Sequence, residues 1–491
     1  MVRNPFVTLL RGALLGLLAF LAGCGTSTTG ETAHEGWRWC RQPGIERVVL
    51  CRTVAVPAHR DQDGPTIPIS LVKVPAESDD RRPDPMVLLA GGPGQSAIGA
   101  YGPMLPLFND INRDRDILLV DVRGTSAGHP LYCVPDAEGD AAELDQLFRP
   151  GGIAHGAELC REQLDRETKA QLVDVTTRQF VFDLEAVRQT LGVERWNLVG
   201  ASYGTRLAME YAKAYPDRTR SLVLDAVAPP ALRLPLSFAR DMESALGVVA
   251  ARCRENSACL EHNGDPLAKL KAFFDTLPKK MVVTHPRTGL RREVEVTRAA
   301  VAQLIRGPLY GTDLQGLLPY AIRRAEEGDL SPLLGVAALM DQGSELALGV
   351  LLSVTCAEDI PRIAPEEIGP ATDGTVLGDA VVRDFIAACK TWGATSATPT
   401  EEPLPPDIPV LTLSGTVDPV TPVRWADVAT EGVKHHHRVV MAHAGHGIMA
   451  RGCVPRLVDR FLDSPDATLD ASCVERSKPP SFFIDHAGAA P

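Results

Sequence analysis

Two segments of the chain hold a serine between glycines at the spacing Gly-x-Ser-x-Gly: Gly124-Thr125-Ser126-Ala127-Gly128 and Gly200-Ala201-Ser202-Tyr203-Gly204. A serine hydroxyl becomes a useful nucleophile only when a neighbouring base takes its proton and an acid orients that base. The spacing suits a tight strand–turn–helix, with glycines where side chains would clash and the serine lifted above a sheet edge. Ser202 follows the apolar run Trp196-Asn197-Leu198-Val199 and precedes the helix-forming stretch Thr205-Arg206-Leu207-Ala208-Met209-Glu210-Tyr211. Ser126 is followed by Gly128-His129-Pro130, which cannot start a helix there. Ser202 is therefore the expected nucleophile, and Ser126 an expected loop residue near the mouth of the site.

The acid and the base are sought downstream, in the order serine, acid, histidine. Asp418 lies in Ser414-Gly415-Thr416-Val417-Asp418-Pro419, just past an apolar strand pattern, and His446 lies in His443-Ala444-Gly445-His446-Gly447, just past another. Asp225 also ends a strand pattern, but capping the junction after it is the simpler role. His443 is expected to be structural, and the run His435-His436-His437 reads as the solvated start of a strand rather than a metal site. A developing oxyanion needs backbone N–H groups. The residue after the nucleophile, Tyr203, offers one, and Gly92 in Gly91-Gly92-Pro93-Gly94 the other.

The elements that must carry these residues alternate. Residues 47–58, 66–76, 86–90, 117–121, 196–199 and 221–225 have strand character, with helical spacing over 176–191 and 205–215. The runs at 86–90 and 117–121 are apolar throughout, as in parallel strands covered on both faces. Residues 230–405 are mostly helical in period, with one hairpin around residues 285–289, and close on a Pro-rich linker. Alternation then resumes with strands over 410–413 and 438–441 and a helix over 454–462. A sheet interrupted by a helical block and then completed implies one α/β core, 37–229 plus 406–491, bearing a lid, 230–405.

The chain has 491 residues and a net charge of −12, without a Lys/Arg-rich run, which argues against nucleic acid as a partner. Arg3 and Arg11 precede or flank an apolar run, residues 12–23, that is shorter than the roughly 20 residues a spanning helix needs. This is the pattern of a signal peptide over 1–23. Leu21-Ala22-Gly23-Cys24 looks like the lipobox of bacterial lipoproteins, so Cys24 is the expected lipidation site and 24–36 a tether. The expected location is outside the cytoplasm on a bacterial membrane, with Gly25 leaning toward the outer membrane where the host has one. Of the 11 cysteines, those other than Cys24 form an even set without CxxC. The expected bridges join neighbours in sequence, Cys40/Cys51, Cys133/Cys160, Cys253/Cys259, Cys356/Cys389 and Cys453/Cys473, although sequence leaves other connectivities open. No zinc motif is present, and no metal or organic cofactor is expected.

Together, GGPG at 91–94, DVRGTSAG at 121–128, GASYGTRLA at 200–208, SVTCAED at 353–359, SGTVDPVTP at 414–422 and AGHG at 444–447 resemble the proline iminopeptidase and tripeptidyl aminopeptidase family of serine exopeptidases. The resemblance implies an α/β-hydrolase sheet, mostly parallel and doubly wound, with a helical lid. It also implies hydrolysis of peptide bonds near a free N-terminus; the chain itself is expected to be a monomer. Ala90 stands where many proline iminopeptidases carry histidine, which favours the tripeptidyl branch. An exopeptidase must read a protonated amine, and Glu358, with Asp359 as second choice, is the expected anchor. A carboxylesterase or lipase on the same scaffold is the alternative, and a non-catalytic surface lipoprotein a distant third.

Overall fold

The computed structural model describes residues 32–33, 36–59, 64–126, 130–133, 139–168, 174–341 and 346–489. The leader 1–23, Cys24 and most of the tether thus lie outside the described residues. Among the described residues no helix is long and apolar enough to cross a membrane.

Ten strands form one sheet: β1 (Thr32–Ala33), β2 (Trp37–Cys40), β3 (Val49–Pro57), β4 (Thr66–Val74), β5 (Met86–Leu89), β6 (Ile117–Val120), β7 (Trp196–Ala201), β8 (Thr219–Asp225), and, after a separate hairpin of β9 (Lys279–Thr284) and β10 (Arg291–Val296), β11 (Val410–Gly415) and β12 (His436–Met441). Their spatial order is β1-β2-β3-β4-β6-β5-β7-β8-β11-β12. The strands from β1 to β4 run antiparallel, as does β4 against β6; from β6 to β12 every neighbouring pair is parallel. Every residue of β5 and β6 is buried, as their unbroken apolar sequence requires. Helices cover both faces: Phe180, Leu184, Leu207 and Met209 pack on one, and Phe108, Leu457 and Phe461 on the other.

The parallel arrangement fixes where chemistry can occur. The loops after β5, β7, β11 and β12 leave the same edge of the sheet and carry Gly92, Ser202, Asp418 and His446 respectively, and β8 ends at that edge with Asp225. Open α/β sheets bind ligands at that carboxyl edge.

The lid is wider than its sequence span. Its apolar core, built on Leu246, Phe273, Ile305, Leu309 and Val381, also takes in Leu144 and Phe148 from the helix Asp140–Phe148, Val417 from the loop after β11, and Phe482 near the C-terminus. The C-terminal segment leaves the core and lies on the lid, where Asn263 Nδ2 donates to the Phe483 carbonyl at 2.8 Å. Conversely, Leu352, Val354, Ala388 and Trp392, late in the inserted block, belong to the main core. The five bridges in the structure are Cys40–Cys51, Cys133–Cys160, Cys253–Cys259, Cys356–Cys389 and Cys453–Cys473.

Candidate active site

Ser202 sits between β7 and the helix Tyr203–Ala214 with φ 54° and ψ −123°, a conformation that L-residues adopt only where the surroundings enforce it. The enforcement is close backbone approach: a Cβ on Gly204 would lie 2.1 Å from the Leu89 carbonyl oxygen. Two side-chain bonds hold the turn, Thr205 Oγ1 donating to the Ser202 carbonyl at 2.6 Å and accepting from Ala228 N–H at 2.8 Å. Tyr203 opens the helix, where an N–H has no intrahelical acceptor, and the positive end of the helix dipole faces the same point.

Asp418 and His446 meet because their loops can touch. A Cβ on Gly415 would lie 2.2 Å from the Gly445 carbonyl oxygen, so glycine is what lets the two turns close on each other. His446 Nδ1 stands 2.9 Å from Asp418 Oδ2. Asp418 Oδ1 accepts from the Val420 and Thr421 N–H groups at 2.9 Å each, and Oδ2 accepts from Thr421 Oγ1 at 2.8 Å. Burial acts to raise the Asp418 carboxyl, but the charge and hydrogen bond of His446 and these N–H donors outweigh it, and its pKa falls below the ordinary value. For His446 burial acts downward, while the charge and hydrogen bond of Asp418, with help from Asp225, raise it against Arg306; the net direction is up. With Nδ1–H committed to Asp418, Nε2 is the nitrogen left for proton transfer. The lid positions the histidine too: His446 N–H donates to the Tyr310 carbonyl at 2.9 Å, the Tyr310 ring packs edge-on at 5.1 Å, and Gly445 N–H donates to Thr312 Oγ1 at 3.0 Å.

Asp225 does not cap the junction that follows it but the segment after His446. Its carboxylate accepts from Ile448 N–H at 2.9 Å and Met449 N–H at 2.9 Å, fixing the segment after His446, and burial raises its pKa to about 6. His443 holds φ 60° at the bend before the site. His436 and His437 face Thr412 and the Pro465 carbonyl, and no metal-binding group of side chains occurs among the described residues.

Ser202, Tyr203, Gly91, Gly92, Asp225, Thr421 and His446 line one cavity of about 740 Å³ beneath the lid. The remaining wall is largely apolar, including Met104, Leu234, Phe238, Met340, Leu351 and Phe385, with Gln303, Arg306 and Tyr310 as a polar patch.

Two more expectations need correction. Ser126 is not at the mouth: it is fully buried against the sheet, its Oγ accepting from Ser70 N–H at 3.0 Å. Glu358 and Asp359 do not line the cavity. Glu358 accepts from Thr177 N–H at 2.6 Å and Thr177 Oγ1 at 2.7 Å, and Asp359 accepts from Arg206 Nη1 at 3.1 Å through both oxygens and from Arg362 at 3.2 Å. These carboxylates pair with arginines inside the protein and are not free to take an amine. They act on the site indirectly, since Thr177 Oγ1 also contacts the Tyr203 hydroxyl at 2.5 Å. Burial pushes Glu358 up to about 7 against the pull of Arg206 and Thr177. Thr421, Tyr310 and Thr312 were not legible as site residues; only Thr421, three residues past Asp418, carried a local signal, that of an Asx-type turn.

Two family models match the chain, the α/β-hydrolase fold over residues 84–316 and a TAP-like protein family over 374–473. This sheet and this carboxyl-edge constellation define an α/β hydrolase of the serine-hydrolase class, with a TAP-like C-terminal part. Among its relatives, serine protease Hip1 of Mycobacterium tuberculosis is 27% identical over 430 residues, covering 79% of this chain and 80% of Hip1. Carboxylesterase B of the same species is 28% identical over 243 residues, 46% of each chain. The proline iminopeptidase of Neisseria gonorrhoeae is 28% identical over 144 residues, 29% of this chain and 32% of the relative. In its matched models and its relatives the chain is thus similar to the α/β hydrolases, the TAP-like proteins and, over a shorter stretch, a proline iminopeptidase.

Proposed function

We propose that this protein is an exported serine peptidase that cleaves short peptides near a free N-terminus through an acyl-enzyme. The supporting observation is that His446, held by Asp418, lines one lid-covered cavity with the strained Ser202 turn. Ser202 Oγ attacks the scissile carbonyl while His446 Nε2 takes its proton. Asp418 holds the imidazole in the tautomer this needs and stabilises the imidazolium. The N–H groups of Tyr203 and Gly92 receive the oxyanion, aided by the helix end behind Tyr203. His446 returns the proton to the departing amine, and water then releases the acyl group by the same steps in reverse order. About 740 Å³ suits a ligand of a few residues rather than a folded chain. The five bridges favour an exported protein. Anchoring through Cys24, with the catalytic domain a monomer, completes the reading.

A second reading is an esterase on the same machinery. It is favoured by the cavity wall, whose one carboxylate among the described residues, Asp225, is taken by backbone N–H groups. The test compares prolyl-, alanyl- and tripeptidyl-anilides, each with a free and an acetylated N-terminus, against short p-nitrophenyl esters, with Ser202→Ala as control. Cleavage of free anilides that acetylation abolishes supports the aminopeptidase. Ester cleavage alone, or indifference to acetylation, moves the protein to the esterases.

A further inference from the structure

The polar patch of the cavity holds a cation that the acyl-transfer machinery does not use. Arg306 lies on the lid helix Arg298–Tyr310. Its guanidinium carbon sits 4.5 Å from the Phe238 ring centroid and 5.3 Å from that of Tyr310. Its hydrogen bonds go to neutral groups on its own helix, the Tyr310 hydroxyl and Gln303 Oε1. Its Nε is buried without a partner, and no carboxylate pairs with it among the described residues. The guanidinium is half-buried, with its Nη1–Gln303 end exposed, so the unmet group is the buried Nε, and near His446 the charge opposes the imidazolium on which turnover depends. Such a group is explained if substrate supplies its counter-charge.

The side of the site on which Arg306 lies identifies the counter-charge. The histidine protonates the leaving amine, so the departing half of the substrate lies on the histidine side of the serine. Arg306 is on that side, since its neighbour Tyr310 is also the ring packed against His446. An extended peptide advances about 3.3–3.6 Å per residue, so a carboxylate one or two residues past the cut falls within reach of a group adjoining the Tyr310 ring. We propose that Arg306 binds the C-terminal α-carboxylate of the departing fragment, so that the enzyme selects short oligopeptides with a free C-terminus over longer chains. This rests on the peptidase reading and names its substrate class.

The test uses matched tetrapeptides ending in a free carboxylate or in a carboxamide, cleaved by the wild type, Arg306→Gln and Arg306→Lys. The acid-to-amide ratio of kcat/KM is compared within each variant, so a general loss of folded enzyme cancels. A charge-assisted hydrogen bond predicts a wild-type ratio of roughly tenfold to a hundredfold. The ratio should fall to near one in Arg306→Gln and recover in part in Arg306→Lys. A wild-type ratio near one, or one that survives Arg306→Gln, overturns the proposal. The same pairs with an ester in place of the scissile amide separate the two readings. If only the esters are cut, the peptidase reading falls, and the acid-to-amide ratio on the esters still decides the role of Arg306.

Discussion

Replacing Asp418 with asparagine changes one oxygen to an amide nitrogen, and the surrounding donors decide which way the new amide turns. Oδ1 accepts two backbone N–H groups, while Oδ2 faces Thr421 Oγ1 and His446 Nδ1. If the asparagine oxygen stays on the backbone donors, its NH₂ points at His446 Nδ1. That nitrogen must then accept, which moves the imidazole proton to Nε2, where it blocks uptake of the Ser202 proton. The opposite rotamer sets an NH₂ against two backbone N–H groups and leaves both buried donors unmet, at about 1–3 kcal/mol each. The first arrangement therefore prevails, and the enzyme keeps its fold with the wrong tautomer. The expected loss in kcat is roughly 10⁴-fold, about 5 kcal/mol of transition-state stabilisation. Steady-state turnover of a p-nitrophenyl ester and of an anilide, with thermal unfolding beside them, measures both halves. A folded Asp418→Asn enzyme retaining more than a tenth of wild-type kcat would refute the reasoning. It would move the orienting role to Asp225, the other carboxylate whose charge acts on His446.

Two further expectations concern pH. Because the net effect on His446 is upward from 6.5, the acid limb of kcat/KM should bend above that value; a midpoint below it contradicts the Asp418 coupling. Glu358 is raised from 4.5 to about 7, so the folded state keeps its proton longer than the unfolded chain. Its contribution to stability is therefore most favourable below pH 4.5 and is lost as pH rises toward 7, by about 3 kcal/mol. Glu358→Gln should flatten that part of the urea-unfolding profile between about pH 5 and pH 8, and identical profiles for the two proteins would refute the assignment.

Much of the scaffold was legible because local pattern and burial coincide in it. The apolar runs at 86–90 and 117–121 read as covered strands, as they are over 86–89 and 117–120, and the glycines around Ser202, between a strand pattern and a helix pattern, read as a tight turn. Asp418 and His446 were readable because each comes just after a strand pattern, one fully buried and one half-exposed. The failures have one physical source, which is contacts between residues far apart in sequence. Glu358 and Asp359 looked like an open acidic pair, yet Arg206 and Thr177, more than 140 positions earlier, enclose them. Ser126 shares the glycine spacing of Ser202 but turns inward to the Ser70 backbone. The short strands β1 and β2 at one end of the sheet and the helix Asp140–Phe148 escaped notice because short or weakly periodic segments are defined by what they pack against. Arg306 and Tyr310 sit in an ordinary-looking lid helix, and only the folded chain sets them beside His446.

If Ser202 is the nucleophile of an Asp418–His446–Ser202 triad, its hydroxyl is activated and reacts with electrophiles that ordinary serines resist. A fluorophosphonate probe reacts with an activated serine, so labelling the protein and mapping the adduct by peptide mass tests the triad most directly. One adduct is expected, on Ser202, lost in Ser202→Ala and nearly lost in Asp418→Asn. An adduct on Ser126, or labelling of Ser202 that is indifferent to Asp418→Asn, would contradict the triad.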